Sequence, residues 1–265
     1  MNSPRILYIL MLVSCLFLAS CSGRGRLILQ APKNTIQLSS GATTGIVSRL
    51  KSDGLPQSMR AMLNIDIQSG AGKDSFRQAL VFKKPELFRL EAFATGVNAL
   101  VFIATSDGHQ FKAVLPTDKK VLIGTPSARS LASLIQLPLT PLEMVSLISG
   151  KIFPEFLDSS KLNISKASDG SIFLTSLSAN NRELRVKMDN ENSLRILELS
   201  LSDDGSGALN AKCNYQVGVL RSLKVLLPEI VANVEIEELH TNVNISSDKV
   251  FSVSQPASYT VERAD

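Results

Sequence analysis

Groups able to do chemistry are sparse in this sequence. There are two histidines, His109 and His240, and three cysteines, Cys15, Cys21 and Cys213. Catalysis needs an acid, a base or a nucleophile gathered into one cluster, and no Cys/His pair has the spacing of a zinc site. His109 adjoins the turn "SDG" and His240 lies between two strands, so both read as surface or hydrogen-bonded residues. The stretch "SGAGKDS" has the look of a phosphate-cradling loop. However, Ile67 stands where the first glycine belongs and Asp74 follows the lysine, so it is a hairpin turn. "SDDGSG" lacks the alternating carboxylates and closing glutamate of a calcium loop and is also a turn. Cys213 falls on the apolar face of a strand, the setting of an inert core thiol. No catalytic residue, metal ligand or cofactor is expected, and the chain does not read as an enzyme.

Cys21 has a legible chemistry. Arg5 precedes an uncharged run from Ile6 to Ala19, which then ends in small residues. This is the three-part layout of a secretory signal and is shorter than the roughly 20 apolar residues of a membrane-spanning helix. A cysteine here could be no more than a small hydrophobe. Leu18-Ala19-Ser20-Cys21, however, resembles a bacterial lipobox, and the resemblance implies cleavage before Cys21, a diacylglycerol on its sulfur and a third acyl chain on its amino group. Three chains exceed the two signals that stable anchoring requires. Residues 1–20 are then a lipoprotein signal peptide and Cys21 is the anchor in membrane lipid. Ser22 stands where an aspartate would retain a lipoprotein on the inner membrane. By that sorting rule, the expected location is the outer membrane, with the domain facing the periplasm.

The formal net charge of +4 is small, and no basic run longer than two residues follows the signal, so nucleic acid is not an expected partner. With Cys15 removed and Cys21 acylated, Cys213 has no cysteine left to pair with, and stability must come from a buried core. Residues 21–57 are polar and rich in glycine and proline. They read as a tether carrying one short helix near 44–51.

From Met59 the pattern changes to period two. "MRAMLNIDIQ" puts Ala61, Leu63, Ile65 and Ile67 on one face and Asn64, Asp66 and Gln68 on the other. "ELFRLEAFA", "NALVFIATS", "HQFKAVLP", "RELRVKM" and "ALNAKCNYQV" continue in this style between turn signals. Clean alternation leaves one wetted face per strand, the mark of antiparallel sheet. Between the two runs of strands, helical spacing predicts helices at about 126–136 and 140–149. The second has Thr140 as its cap, Pro141 at its first position and Glu143 three residues after the cap. The expected fold class is mainly β (α+β): a strongly curved antiparallel sheet of roughly eleven or more strands over 58–265. A helical lid is inserted in mid-chain, and a short helix precedes the domain.

Three segments resemble the LolA/LolB family of periplasmic lipoprotein carriers and receptors: "LVFKKPELFRLEAF" at 80–93, "LIQLPLTPLEMVSLISGKIF" at 134–153, and "LPEIVANVEI" with "TNVNISSDKVFSVSQP" near the C-terminus. The resemblance implies that this sheet is an incomplete antiparallel β-barrel, a half-barrel enclosing an apolar cavity for the acyl chains of lipoproteins and covered by helices. The cavity lining is then expected from Leu63, Ile65, Phe88, Leu90, Phe111, Leu184, Val186 and Tyr215, and the lid from Leu131, Leu134, Met144, Leu147 and Ile148. Arg89 has two roles open to it: pairing with Glu91 on its own strand, or latching the lid by hydrogen bonds to its carbonyls. The receptor's protruding-loop leucine has no counterpart here, where "ATGVN" offers only Val97 beside Thr95. Two functions follow. One is an outer-membrane lipoprotein that binds lipid or acyl chains, partnered by lipoproteins or a periplasmic carrier. The other is a non-enzymatic lipoprotein subunit of an envelope complex that uses the same fold as an interaction module.

Overall fold

The computed structural model describes residues 29–203, 209–246 and 248–264. The signal segment 1–20 and Cys21 lie outside the described residues.

The alternating segments form fifteen strands in one sheet. In chain order, β1 (Thr35–Gln37) and helix α1 (Ser40–Ser52) precede β2 (Ser58–Ser69), β3 (Gly72–Lys83), β4 (Leu87–Ala94), β5 (Leu100–Asp107), β6 (Phe111–Leu115) and β7 (Lys120–Gly124). Helices α2 (Ala128–Ile135), α3 (Pro141–Ile148) and α4 (Pro154–Leu157) follow. Then come β8 (Asn163–Ala167), β9 (Ile172–Leu177), β10 (Glu183–Met188), β11 (Ile196–Ser202), β12 (Leu209–Gln216), β13 (Val219–Leu226), β14 (Ile230–Thr241) and β15 (Thr260–Arg263). The spatial order is β1-β8-β9-β10-β11-β12-β13-β14-β2-β3-β4-β5-β6-β7-β15. The sheet stays open: β1 and β15 stand at opposite edges, and the architecture is the incomplete barrel that the family resemblance implies. β15 runs parallel to β7, and the other described pairings are antiparallel.

This order dictates where the helices go. β14 pairs with β2 from Ile230↔Ser69 to Thr241↔Met59, so the late strand closes the middle of the sheet rather than an edge. β7 and β8, consecutive in sequence, therefore lie near opposite edges. The chain between them must cross the whole sheet, and its apolar stripes give it reason to cross over the apolar face. Leu131, Leu139, Met144, Val145, Leu147, Ile148, Phe153 and Phe156 from this crossing join the same core as Leu63, Phe88 and Leu184 from the strands.

Local signals set the helix ends. Ser127 caps α2 by accepting from the Ser130 N–H, and α2 stops at Gln136, whose φ of 56° is left-handed. Thr140 and Glu143 form the reciprocal capping box of α3, with Pro141 in its first turn. Gly150 follows with φ +66°, and a Cβ there would lie 3.0 Å from the Tyr215 hydroxyl, so both its backbone and its packing call for glycine.

One expectation changes here. The stretch expected to serve as a tether through residue 57 includes ordered elements: β1 pairs with β8, and α1 buries Ile46 in the core. Lys51 pairs with Asp158 at 2.5 Å, and Arg49 donates to the carbonyls of Glu191 and, at 2.7 Å, Asn192. A polar, glycine-broken composition hid this because only one face of α1, around Ile46, meets the domain. Among the described residues, no helix is long and apolar enough to cross a membrane.

Candidate apolar binding cavity

Below the α2–α3 crossing the concave face is not completely filled. A cavity of about 220 Å³ lies between the sheet and the helices. Its floor and walls come from β2 (Leu63, Ile65, Ile67, Ser69), β3 (Asp74, Phe76, Gln78), Ala92 of β4, Val101 and Phe102 of β5, Leu115, and the β13–β14 hairpin (Leu223, Val225, Ile230, Ala232, Val234). Its roof is Ser133, Leu134 and Ile135 of α2, the connection Gln136–Leu137–Leu139, and Met144, Leu147 and Ile148 of α3. The register explains the lining. Ile67↔Asp74, Ile65↔Phe76 and Leu63↔Gln78 are opposed pairs, and alternation turns all six to the inside.

Of the residues singled out from sequence, Leu63, Ile65, Leu134, Met144, Leu147 and Ile148 border this space. Phe88, Leu90, Phe111, Leu184 and Val186 point to the same interior but are packed solid, each at 0% exposure, and do not border it. Leu131 is likewise fully buried in the core. Tyr215 packs under Gly150 and against Arg195, 5.7 Å from its ring centroid, away from the cavity. The cavity thus occupies one end of the barrel, beneath the α2–α3 connection, and the other end is filled by large side chains. Alternation identifies which face of a strand is interior. It cannot tell where along that face the packing stops, so Phe76, Gln78, Val101 and Phe102 were missed.

Arg89 does not reach the lid. It donates to Glu91 Oε1 at 2.6 Å and to the carbonyls of Val250 and Ser252 at 2.9 and 3.2 Å. Its neighbours Phe88 and Leu90 take the interior positions, so the period of two places Arg89 on the outer face. There it holds the 3-10 turn Asp248–Phe251.

The helical cover is instead tied down by a buried ion pair. Glu143 is 0% exposed, and Arg182, in the β9–β10 turn, donates to its Oε1 while its own Nε reaches Asp203 at 2.9 Å. Glu143 Oε2 accepts from the Thr140 N–H at 2.7 Å. The Glu155 carboxyl lies close enough to the same carboxylate to feel its charge. Burial of the Glu155 carboxyl, helped by the charge of Glu143, pushes its pKa up to about 7 although the residue as a whole keeps an exposed face. Cys213 is a free thiol pushed up to about 12 by burial, which leaves it unreactive. Among the described residues, no three His, Cys, Asp or Glu side chains gather as a metal site would require.

No protein-family model matches the sequence, and no curated protein matches it. Solved structures do match the fold. A DUF1329 family protein from Desulfovibrio piger superposes with a TM-score of 0.54 at 13% identity, covering 80% of this chain and 96% of the other. A domain named for outer membrane lipoprotein sorting, from Vibrio parahaemolyticus, gives 0.53 at 10% identity, covering 77% and 94%. A LolA superfamily protein from Nitrosomonas europaea gives 0.53 at 10% identity, covering 80% and 97%. The fold is LolA-like. In these terms α2 and α3 are the helices laid over a LolA-like half-barrel, and the 220 Å³ space is its interior. At such identities the likeness establishes the architecture and carries no residue of the site across.

Proposed function

We propose that this chain is a lipid-anchored envelope protein that takes acyl chains, its own kind being lipoproteins or membrane lipid, into the cavity under α2 and α3. The observation that supports this reading best is the cavity itself, an apolar space roofed by two helices whose apolar side chains face it. Well-packed interiors leave few voids larger than a water molecule, and apolar voids stay dry and accept hydrophobic guests. A void of about 150 Å³ holds the six carbons of benzene. In proportion, 220 Å³ takes about nine carbons of one extended chain. A longer chain would run out past Asp74 and Ser69, and a triacylated ligand would have to lift the cover. The lipobox resemblance at Cys21 and the lipoprotein-sorting relative in fold support an envelope location, with the outer membrane favoured by Ser22.

Displacement of a fluorescent fatty acid by decanol or an acylated peptide tests the reading. Saturable binding is expected in the wild type. Leu147→Glu, which places a carboxylate in the roof, should weaken it at least tenfold with the fold intact by circular dichroism. No saturable binding to wild-type protein purified free of lipid would overturn it. The alternative, an interaction module in an envelope complex, is supported by how much of the interior Phe88, Leu90, Phe111, Leu184 and Val186 already fill.

A further inference from the structure

The cavity wall contains one polar side chain that an aliphatic guest alone would not explain. Gln78 is 3% exposed and lines the cavity, and its carboxamide makes no hydrogen bond to the described residues while its polar atoms remain accessible from the cavity space. Its cross-strand neighbours on the inner face are Leu63 on β2 and Ala92 on β4, neither of which offers a polar side-chain atom. A carboxamide that faces an apolar space is satisfied only by what enters that space. A water at this point finds no second polar side chain on the cross-strand neighbours Leu63 and Ala92, and a buried water needs two to four polar partners. Asp74 lies four residues earlier on the same face of β3, about 13 Å away at ~3.4 Å per residue, exposed at the rim.

Resting on the reading of the cavity as an acyl-chain site, we propose that its preferred guest is a hydroxylated chain: one with its head at the rim near Asp74 and a hydroxyl about 13 Å further in, against Gln78. A hydroxyl suits the carboxamide better than an ester or ketone because it both donates and accepts, as the carboxamide does. Asp74 is the only charged residue of the lining, so a neutral or cationic head is favoured over a free carboxylate.

Decanol and α,ω-decanediol test this, each competing against a fluorescent fatty acid on the full chain. The diol can place one hydroxyl at the rim and the other at Gln78, and decanol can do only one of these. The ratio of the two dissociation constants in wild type is compared with that in Gln78→Leu, with Gln78→Met as the replacement if the leucine variant does not fold. Loss of Gln78 is expected to shift the ratio toward decanol by about tenfold. It should not lower the thermal midpoint of the ligand-free protein, because the carboxamide makes no hydrogen bond there that its loss would remove. An unchanged ratio would overturn the proposal while leaving the cavity an acyl-chain site, and a lowered midpoint would assign Gln78 to structure instead. If wild type binds neither alcohol nor the fluorescent fatty acid, the reading of the cavity falls, and this inference with it.

Discussion

Glu143 is the residue on which the helical cover depends. Its carboxylate caps α3 at Thr140 and accepts from Arg182 across the interior. Removing one member of a buried pair leaves an uncompensated charge, which typically costs 3–5 kcal/mol. Arg182→Leu should therefore lower stability in urea by about 3 kcal/mol, and adding Glu143→Gln, which retains the cap, should restore most of the loss. Equal destabilisation in the single and double variants would show that the pair is not the cause. Glu155 makes a separate, pH-linked contribution. Its folded pKa of about 7 lies above the usual 4.5, so the folded state holds the extra proton. The stability that proton supplies is whole below about 4.5 and is lost as pH rises through about 7. Wild type should lose more melting temperature than Glu155→Gln between about pH 5 and about pH 8. Parallel profiles would place the titration elsewhere.

At the scale of the element, the register of β10 makes a clean test. Val186 opposes Leu174 on β9 and Leu199 on β11, with all three buried, whereas Arg185 lies on the other face and pairs with Glu183 at 2.9 Å. Val186→Asp buries an unpaired charge and should cost several kcal/mol, on the order of 4, in chemical denaturation. Arg185→Gln removes only a half-exposed pair and should cost less than about 1 kcal/mol. Similar costs for the two would mean that the strand is turned over.

The whole molecule is organised around a crossing. Because β14 closes onto β2, the two wings of the sheet open away from each other, and the only link between β7 and β8 must roof the concave face. The cavity is the space that this short roof cannot fill. With Cys21 as the proposed anchor, fourteen residues separate the membrane from Thr35, the first residue of β1. Fully extended they span at most about 50 Å, which keeps the barrel close to the bilayer. Cys21→Ala should abolish metabolic labelling with alkyne palmitate and release the protein from the membrane fraction. Undiminished labelling would remove the anchor from the account.

Local signals in the sequence were enough for the strand faces and the helix pair, though not for β1 or α4. The strand faces followed from period two, and the ends of α3 from Thr140, Pro141, Glu143 and Gly150. The mainly β class followed from the number of alternating segments, because these depend on backbone geometry and on neighbours a few residues away. What only the tertiary structure decided is long-ranged. Whether Phe88 meets the cavity or a packed neighbour depends on how far α2 and α3 extend over the sheet. Arg182, from a turn 39 residues beyond Glu143, reaches the lid only because the sheet brings β9 and β10 beneath it. Arg89, two residues from Glu91, was committed to the outer face by alternation, yet its carbonyl partners came from a turn some 160 residues away. Gln78 was one more polar residue in an alternating strand until its place on the wall of an apolar cavity gave it meaning. Pattern determines which way a side chain points, but what stands opposite it is set by chain segments that the pattern does not connect.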